Sequence, residues 1–267
     1  MKRFIPFVQS DPVVSVIRLS GVIAASARGG ALSDAALGQV IERAFRKGKP
    51  KAVALVLNSP GGSPAQSSLI AARIRRLADE KEIPVHAFVE DVAASGGYWL
   101  ACAADDIWVD ASSVIGSIGV ISASFGLHEA IGKLGIERRV HTAGKDKSIL
   151  DPFRPERAED VERLKGIQAQ IHDSFIAHVK ARRGDRLNAD ADLFTGEFWV
   201  GQRGVELGLA DGVAHLVPKM KEIYGDKVKF RAYGPRQGLL QRFGASMASE
   251  LTGGIEDRTL WARYGLT

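Results

Sequence analysis

A single cysteine in 267 residues, Cys102, excludes an intrachain disulfide and any zinc cluster built on thiolates. Its setting, Trp99-Leu100-Ala101-Cys102-Ala103-Ala104, is that of a buried structural thiol. Excess charge of one sign is also lacking. The 36 Lys plus Arg against 31 Asp plus Glu leave only +5, spread along the chain without basic blocks or interleaved aromatics, which argues against a nucleic-acid surface. The charge-free stretch 111–127 is rich in Ser and Gly and falls short of a bilayer span. Near the start, Pro6, Gln9, Ser10 and Asp11 interrupt the apolar run that a signal peptide needs, so neither a cleavable signal nor a transmembrane segment is expected. There is no glycine loop ending in Gly-Lys-Ser/Thr, no His-Glu-x-x-His and no Gly-x-Gly-x-x-Gly, so no metal, nucleotide or other cofactor is expected.

What is present is ordinary globular material, 45% hydrophobic and 25% charged, enough to bury a sizeable core. Short β-rich runs recur at Val13–Leu19, Ala52–Leu57, Val85–Val89, Ile107–Val109 and Ile136–His141. Helical patterns fall between most of them, at Leu32–Lys47, Gln66–Lys81, Ser95–Ala104 and Gly126–Leu134. This alternation predicts an α/β fold with mainly parallel sheets. Pro155–Gly184 reads as one long helix, closed by Arg182 and Arg183 and capped by Gly184. A short helix follows Phe198, and a strand is expected at Val213–Val217. From about Pro235 the composition shifts to Gln, Arg, Ser and Gly with scattered apolar positions. The partition expected is one domain, 1–234, and a tail, 235–267, that is either an arm for a neighbouring subunit or membrane surface, or a loosely ordered end.

Three tracts carry chemistry. In Ala93-Ala94-Ser95-Gly96-Gly97-Tyr98 a hydroxyl stands at a strand-to-helix junction, where unpaired amides can hold a developing oxyanion. Taken alone, Ser95 fits a helix N-cap as well as a nucleophile. The second tract, Asn58-Ser59-Pro60-Gly61-Gly62, leaves an apolar strand, and Gly62 and Gly96 can together supply two backbone donors. Serine needs a base. His128 and His141 are the histidines best placed in sequence; Lys147, in the third tract Ala143-Gly144-Lys145-Asp146-Lys147, is the alternative, since a desolvated lysine can take a proton.

Together Asn58-Ser59-Pro60-Gly61-Gly62, Ala94-Ser95-Gly96-Gly97-Tyr98, Gly116-Ser117-Ile118-Gly119-Val120 and Gly144-Lys145-Asp146-Lys147-Ser148 resemble the signal peptide peptidase A family, in order and with compatible spacing from about Val13 to Val217. The resemblance implies the fold shared by caseinolytic peptidases (ClpP) and crotonases, a spiral of β-β-α units. It implies a Ser-Lys serine peptidase with Ser95 as nucleophile, Lys147 as general base, Ser117 orienting the lysine, and the Gly62 and Gly96 amides as oxyanion hole. It further implies peptide substrates such as remnant signal peptides and a homo-oligomeric ring or dome; with no signal peptide or transmembrane segment evident in the residues, a cytoplasmic or peripheral membrane location is expected. The sequence departs from the family where a third loop glycine is replaced by Ser63, followed by Pro64. Two other readings share the fold: a crotonase-like acyl-CoA hydratase or isomerase using Glu90 and Asp91, and an inactive scaffold.

Overall fold

The computed structural model describes residues 11–25, 31–144, 146–234 and 259–266. The expected lack of a signal peptide at the start and the expectations for most of the 235–267 tail therefore lie outside the described residues. The chain divides into two units, one of residues 1–118 with 176–267 and the other of residues 119–175.

The first unit is built on one sheet of eight strands. Its central strand, β2 (Ala52–Ser59), is apolar along nearly its whole length and buried on both faces, as expected of a parallel strand covered by helices. Beside it run β1 (Val13–Ser20) and β3 (Val85–Ala94), all in parallel. The principal strand order is β6-β5-β3-β2-β1-β8, where β5 is Val114–Gly116, β6 is Phe198–Val200 and β8 is Lys229–Tyr233. The strand β4 (Asp106–Val109) branches from β3 and carries β7 (Gly212–Val213), and among the described residues only β5 and β6 pair antiparallel.

Helices cover both faces. On one side α1 (Asp34–Arg46) is capped by the Ser33 hydroxyl, carries Asp34 in its first turn and Arg43 and Arg46 in its last, and so complements its own dipole at both ends. It is tied to β1 where the buried Ser15 hydroxyl donates to the Ala44 carbonyl at 2.8 Å. Next to it, α2 (Pro64–Lys81) starts on a Ser63 cap with proline in its first turn. On the other side α7 (Leu216–Tyr224) buries Met220 against Val14, Ala52, Ala54 and Phe88. Here the buried His86 ring bridges elements, with Nδ1 2.9 Å from the Asp106 carboxylate and Nε2 2.9 Å from the Tyr224 hydroxyl.

Several expectations needed correction. Val213–Val217 is not a strand: pairing stops at Val213, and α7 begins at Leu216, where Pro218 sits in a first turn that needs no amide from it. Ile136–His141 forms no strand either. Its run of Glu137, Arg138 and Arg139 offers no apolar face to a sheet, and Ile136 is exposed. The long helix is present as α5 (Ala158–Arg183), followed by Gly184 with φ 54°.

The second unit holds α4 (His128–Lys133), none of whose residues is buried, and the first part of α5. The chain between these elements is held by ion pairs, Arg138 with Asp151, Arg163 with Asp146 and Arg157 with Asp160.

Candidate active site

Ser95 follows directly on β3, and α3 (Gly96–Ala101) starts at the next residue. Its backbone lies at φ 52° and ψ −122°, a region that costs a residue bearing a side chain on the order of 1–3 kcal/mol. The surroundings enforce it: the Ser95 amide donates to the Gly116 carbonyl at 2.9 Å, and the Ser95 carbonyl accepts from Trp99 at 3.0 Å. The hydroxyl makes no capping hydrogen bond to the helix it precedes, which removes the reading of Ser95 as a simple N-cap. A side chain held in strain and spared from capping is free to act on something else.

The glycine loop after β2 reaches this turn. Ile23 brackets Gly62, its amide donating to the Gly61 carbonyl at 2.8 Å and its carbonyl accepting from the Ser63 amide at 2.7 Å. In such a parallel bridge the N–H of Gly62 itself points away from Ile23. Gly62 has φ 140°, and a Cβ there would lie 2.1 Å from the Ile23 carbonyl oxygen, so only glycine fits. On the other side, a Cβ on Gly96 would lie 3.3 Å from the Gly62 nitrogen, which brings the two amides to one place beside Ser95. The Gly96 amide, first in α3, has no intrahelical acceptor. Among the described residues neither amide donates to a backbone carbonyl outside the regular elements. Two free N–H groups next to a strained serine are what a developing oxyanion requires.

Ser59, which sequence reasoning left without a role, proves to hold this loop: its buried hydroxyl accepts from the Gly61 amide at 3.2 Å. It lay within a motif already singled out, and its type, a hydroxyl two residues ahead of a glycine turn, was the available signal.

Ser117 belongs to the same unit. It follows Gly116, the residue that pairs with Ala94 and accepts from the Ser95 amide, and its own amide donates to the Glu197 carbonyl at 2.7 Å. It too has a positive φ, 53°. Lys147 belongs to the second unit, in the turn 146–150, where it is exposed and its amide donates to the Gly144 carbonyl at 3.3 Å. Its neighbours there are Asp146, engaged by Arg163 at 2.6 Å, and Ser148, whose hydroxyl accepts from Arg154 at 3.3 Å. Lys145 lies outside the described residues. The structure thus brings together Ser95, Gly62, Gly96 and Ser117, and places Lys147 on the other unit.

The remaining polar groups have other duties. His128 and His141 both belong to the second unit. His178 stacks on the Trp99 ring at 4.9 Å and lies 3.1 Å from the Trp99 carbonyl, and burial holds its ring below the usual histidine range. Glu90 takes the Arg18 guanidinium at 2.6 Å and Asp91 takes the Asn58 amide at 2.6 Å, so the two carboxylates of the hydratase reading are already engaged. Both line a cavity of about 780 Å³ with Arg18, Asp110, His215 and Leu266, and Ser95 is not among its lining residues. Cys102 is fully buried, and burial pushes its thiol up to about 12, which makes it inert as a nucleophile.

The family model for peptidase family S49 matches residues 78–223. Over its whole length the chain is 46% identical to a Na(+)/H(+) antiporter NhaA of Brucella melitensis, of which it spans 39%. It is 32% identical over 76% of its length to the chloroplastic serine protease SPPA of Arabidopsis thaliana, spanning 31% of that protein. The chain therefore spans well under two thirds of these relatives. Among the described residues no helix is long and apolar enough to cross a membrane. Among solved structures, a 1510-N membrane-bound stomatin-specific protease, as a lysine-to-alanine mutant in complex with a substrate peptide, aligns with a TM-score of 0.52 at 16% identity, covering 96% of this chain and 100% of the other. That likeness shows the fold, a mixed α/β arrangement of the ClpP and crotonase type with a mostly parallel sheet. With the family model covering more than half of its residues, the chain belongs to peptidase family S49.

Proposed function

We propose that this chain is a serine endopeptidase that cleaves apolar or unfolded peptides, remnant signal peptides among them, through an acyl-enzyme on Ser95. The observation that carries the reading is the strained, uncapped Ser95 beside the free amides of Gly62 and Gly96. In the first step Lys147, desolvated as it meets Ser95, takes the Ser95 proton as Oγ attacks the scissile carbonyl. The two glycine amides hold the oxyanion, and the amine leaves with the proton from Lys147. Water, giving its proton to the Lys147 amine, then attacks the ester, and the acid is released as that proton passes to Ser95 Oγ. Ser117 donates to the lysine amine and keeps it aimed. Two solved structures of the stomatin-specific protease, in which a lysine and a serine respectively are replaced by alanine, are consistent with that pairing.

Because Lys147 belongs to a unit of its own, the amine reaches Ser95 either within one chain or from a second copy. A homo-oligomer is favoured by the apolar side chains that stand exposed in that unit, Phe125 at 85% and Leu134 at 74%.

A fluorophosphonate probe with mass spectrometric location of the adduct tests the assignment directly. The adduct is expected on Ser95 and absent from Ser95→Ala. Turnover is expected to fall by about 10³-fold or more in Ser95→Ala and by about 10²- to 10⁴-fold in Lys147→Ala. Full peptidase activity in both variants would end the reading.

A further inference from the structure

We infer that Tyr264 is a positioning residue of the peptidase site, acting through Ser117, and that the segment 259–266 is a working wall of that site. This deepens the function proposed above and rests on it. The Tyr264 hydroxyl donates to Ser117 Oγ at 3.2 Å across 147 positions of sequence. Its ring meets Phe198 edge-on at 5.3 Å, and Phe198 pairs with Gly116, the residue that accepts the Ser95 amide. Trp261, Tyr264 and Leu266 pack on Val92, Ala94 and Val114, and Ala94 is the last residue before the nucleophile. Three side chains of one short segment therefore converge on the strand ends that carry Ser95 and Ser117.

The chemistry follows from what a serine hydroxyl can do. It has one proton to give and two lone pairs to receive with. When Tyr264 fills a lone pair, the proton of Ser117 is left for an outside acceptor, and the hydrogen bond it makes is strengthened by the one it receives. A neutral amine is such an acceptor and an ammonium is not. Tyr264 thereby favours the arrangement in which Ser117 donates to the base, the form that takes the Ser95 proton. This contribution is made as the proton moves, so it belongs to kcat and not to substrate binding.

The test is steady-state cleavage of an internally quenched apolar peptide by the full chain carrying Tyr264→Phe, which keeps the ring against Phe198 and removes only the hydroxyl. Losing one net hydrogen bond is expected to lower kcat about 3- to 10-fold with KM within twofold. In a Ser117→Ala background the same change is expected to cost less than twofold, since the partner is gone. A thermal melt matching that of the parent shows that the loss does not come from unfolding. A Tyr264→Phe enzyme with unchanged kcat, or an equal loss with and without Ser117, overturns the inference. So does a rise in kcat, which would mean that the segment covers the site instead of completing it. Trp261→Phe gives a second variant that leaves the hydroxyl in place, and a kcat loss there equal to that of Tyr264→Phe would reduce the segment to packing alone. The function proposed above fails separately, through activity in Ser95→Ala, whatever Tyr264→Phe shows.

Discussion

The two units of the chain solve different problems. The first buries a large apolar core: Ile17, Leu19, Leu55, Leu57, Ile70 and Ile74 have no exposed surface. The second leaves Ile121, Phe125, Leu134 and Ile136 more than half exposed, and its helix α4 buries nothing. A strained turn such as Ser95 survives only where the surroundings over-determine it, and the packed sheet provides that. A general-base lysine needs desolvation instead of strain, and Lys147 is exposed on its own unit. Ser95 and the glycine amides proposed as oxyanion donors thus stand on the packed sheet, whereas Lys147 stands on material held by ion pairs and local turns.

Substituting Gly62 breaks this comparison most sharply on the packed side. An added Cβ in Gly62→Ala would meet the Ile23 carbonyl at 2.1 Å, so the loop must move and carry its amide away from Ser95. A loss of about 10²- to 10³-fold in kcat is expected, the size of one missing oxyanion donor. Fluorophosphonate labelling of Ser95 should slow alongside. An unaffected kcat in a folded Gly62→Ala variant would show that this amide does not face the oxyanion.

A pair of core and surface substitutions sharpens the contrast in stability. Leu55→Ala removes a fully buried side chain from β2 and is expected to cost about 2–5 kcal/mol by chemical denaturation. Phe125→Ser, at a side chain 85% exposed, is expected to change the stability of a single chain by no more than about 0.5 kcal/mol. If the exposed apolar residues meet another copy, Phe125→Ser should instead weaken association in sedimentation velocity. A cost for Phe125→Ser comparable to that for Leu55→Ala, with no change in association, would contradict the division drawn between the units.

The same division governs what could be read from sequence. The strands β1 to β3 and the helices α1 and α2 were legible because each is long enough for its apolar residues to repeat with a period, β4 because Ile107, Trp108 and Val109 stand together, and serine caps mark where both helices start. The strands β5, β6 and β8 escaped notice. The first two have three residues each, and a ladder that short is fixed by its partner and not by its own pattern. Ser95, Gly62 and Gly96 were legible through glycine doublets, whose purpose is close backbone approach. The backbone angle of Ser95 was not, because it comes from the Gly116 carbonyl, 21 positions away. Tyr264 was beyond reach for the same reason, lying in a tail whose composition marks no element.

The smallest expected effect concerns the packed side at low pH. Arg183 is almost fully buried; burial works against its charge, yet its hydrogen bonds to Asp211, 2.7 Å away, leave the guanidinium raised above its ordinary value. Burial likewise works against the Asp211 carboxylate, but Arg183 and the Ile107 amide outweigh it and hold the carboxyl below the usual range. A carboxyl lowered by folding stabilises the native state fully above its ordinary, unfolded value. It loses that contribution as pH falls through the lowered, folded one. Denaturation midpoints of the parent should therefore drop on acidification across that window, below about pH 4. Asp211→Asn keeps a hydrogen-bonding partner without the titrating group. It should start less stable near neutrality and lose less on acidification, so that the two curves converge. Parallel curves would show that this pair, for all its burial, contributes nothing to the acid sensitivity of the unit that carries Ser95.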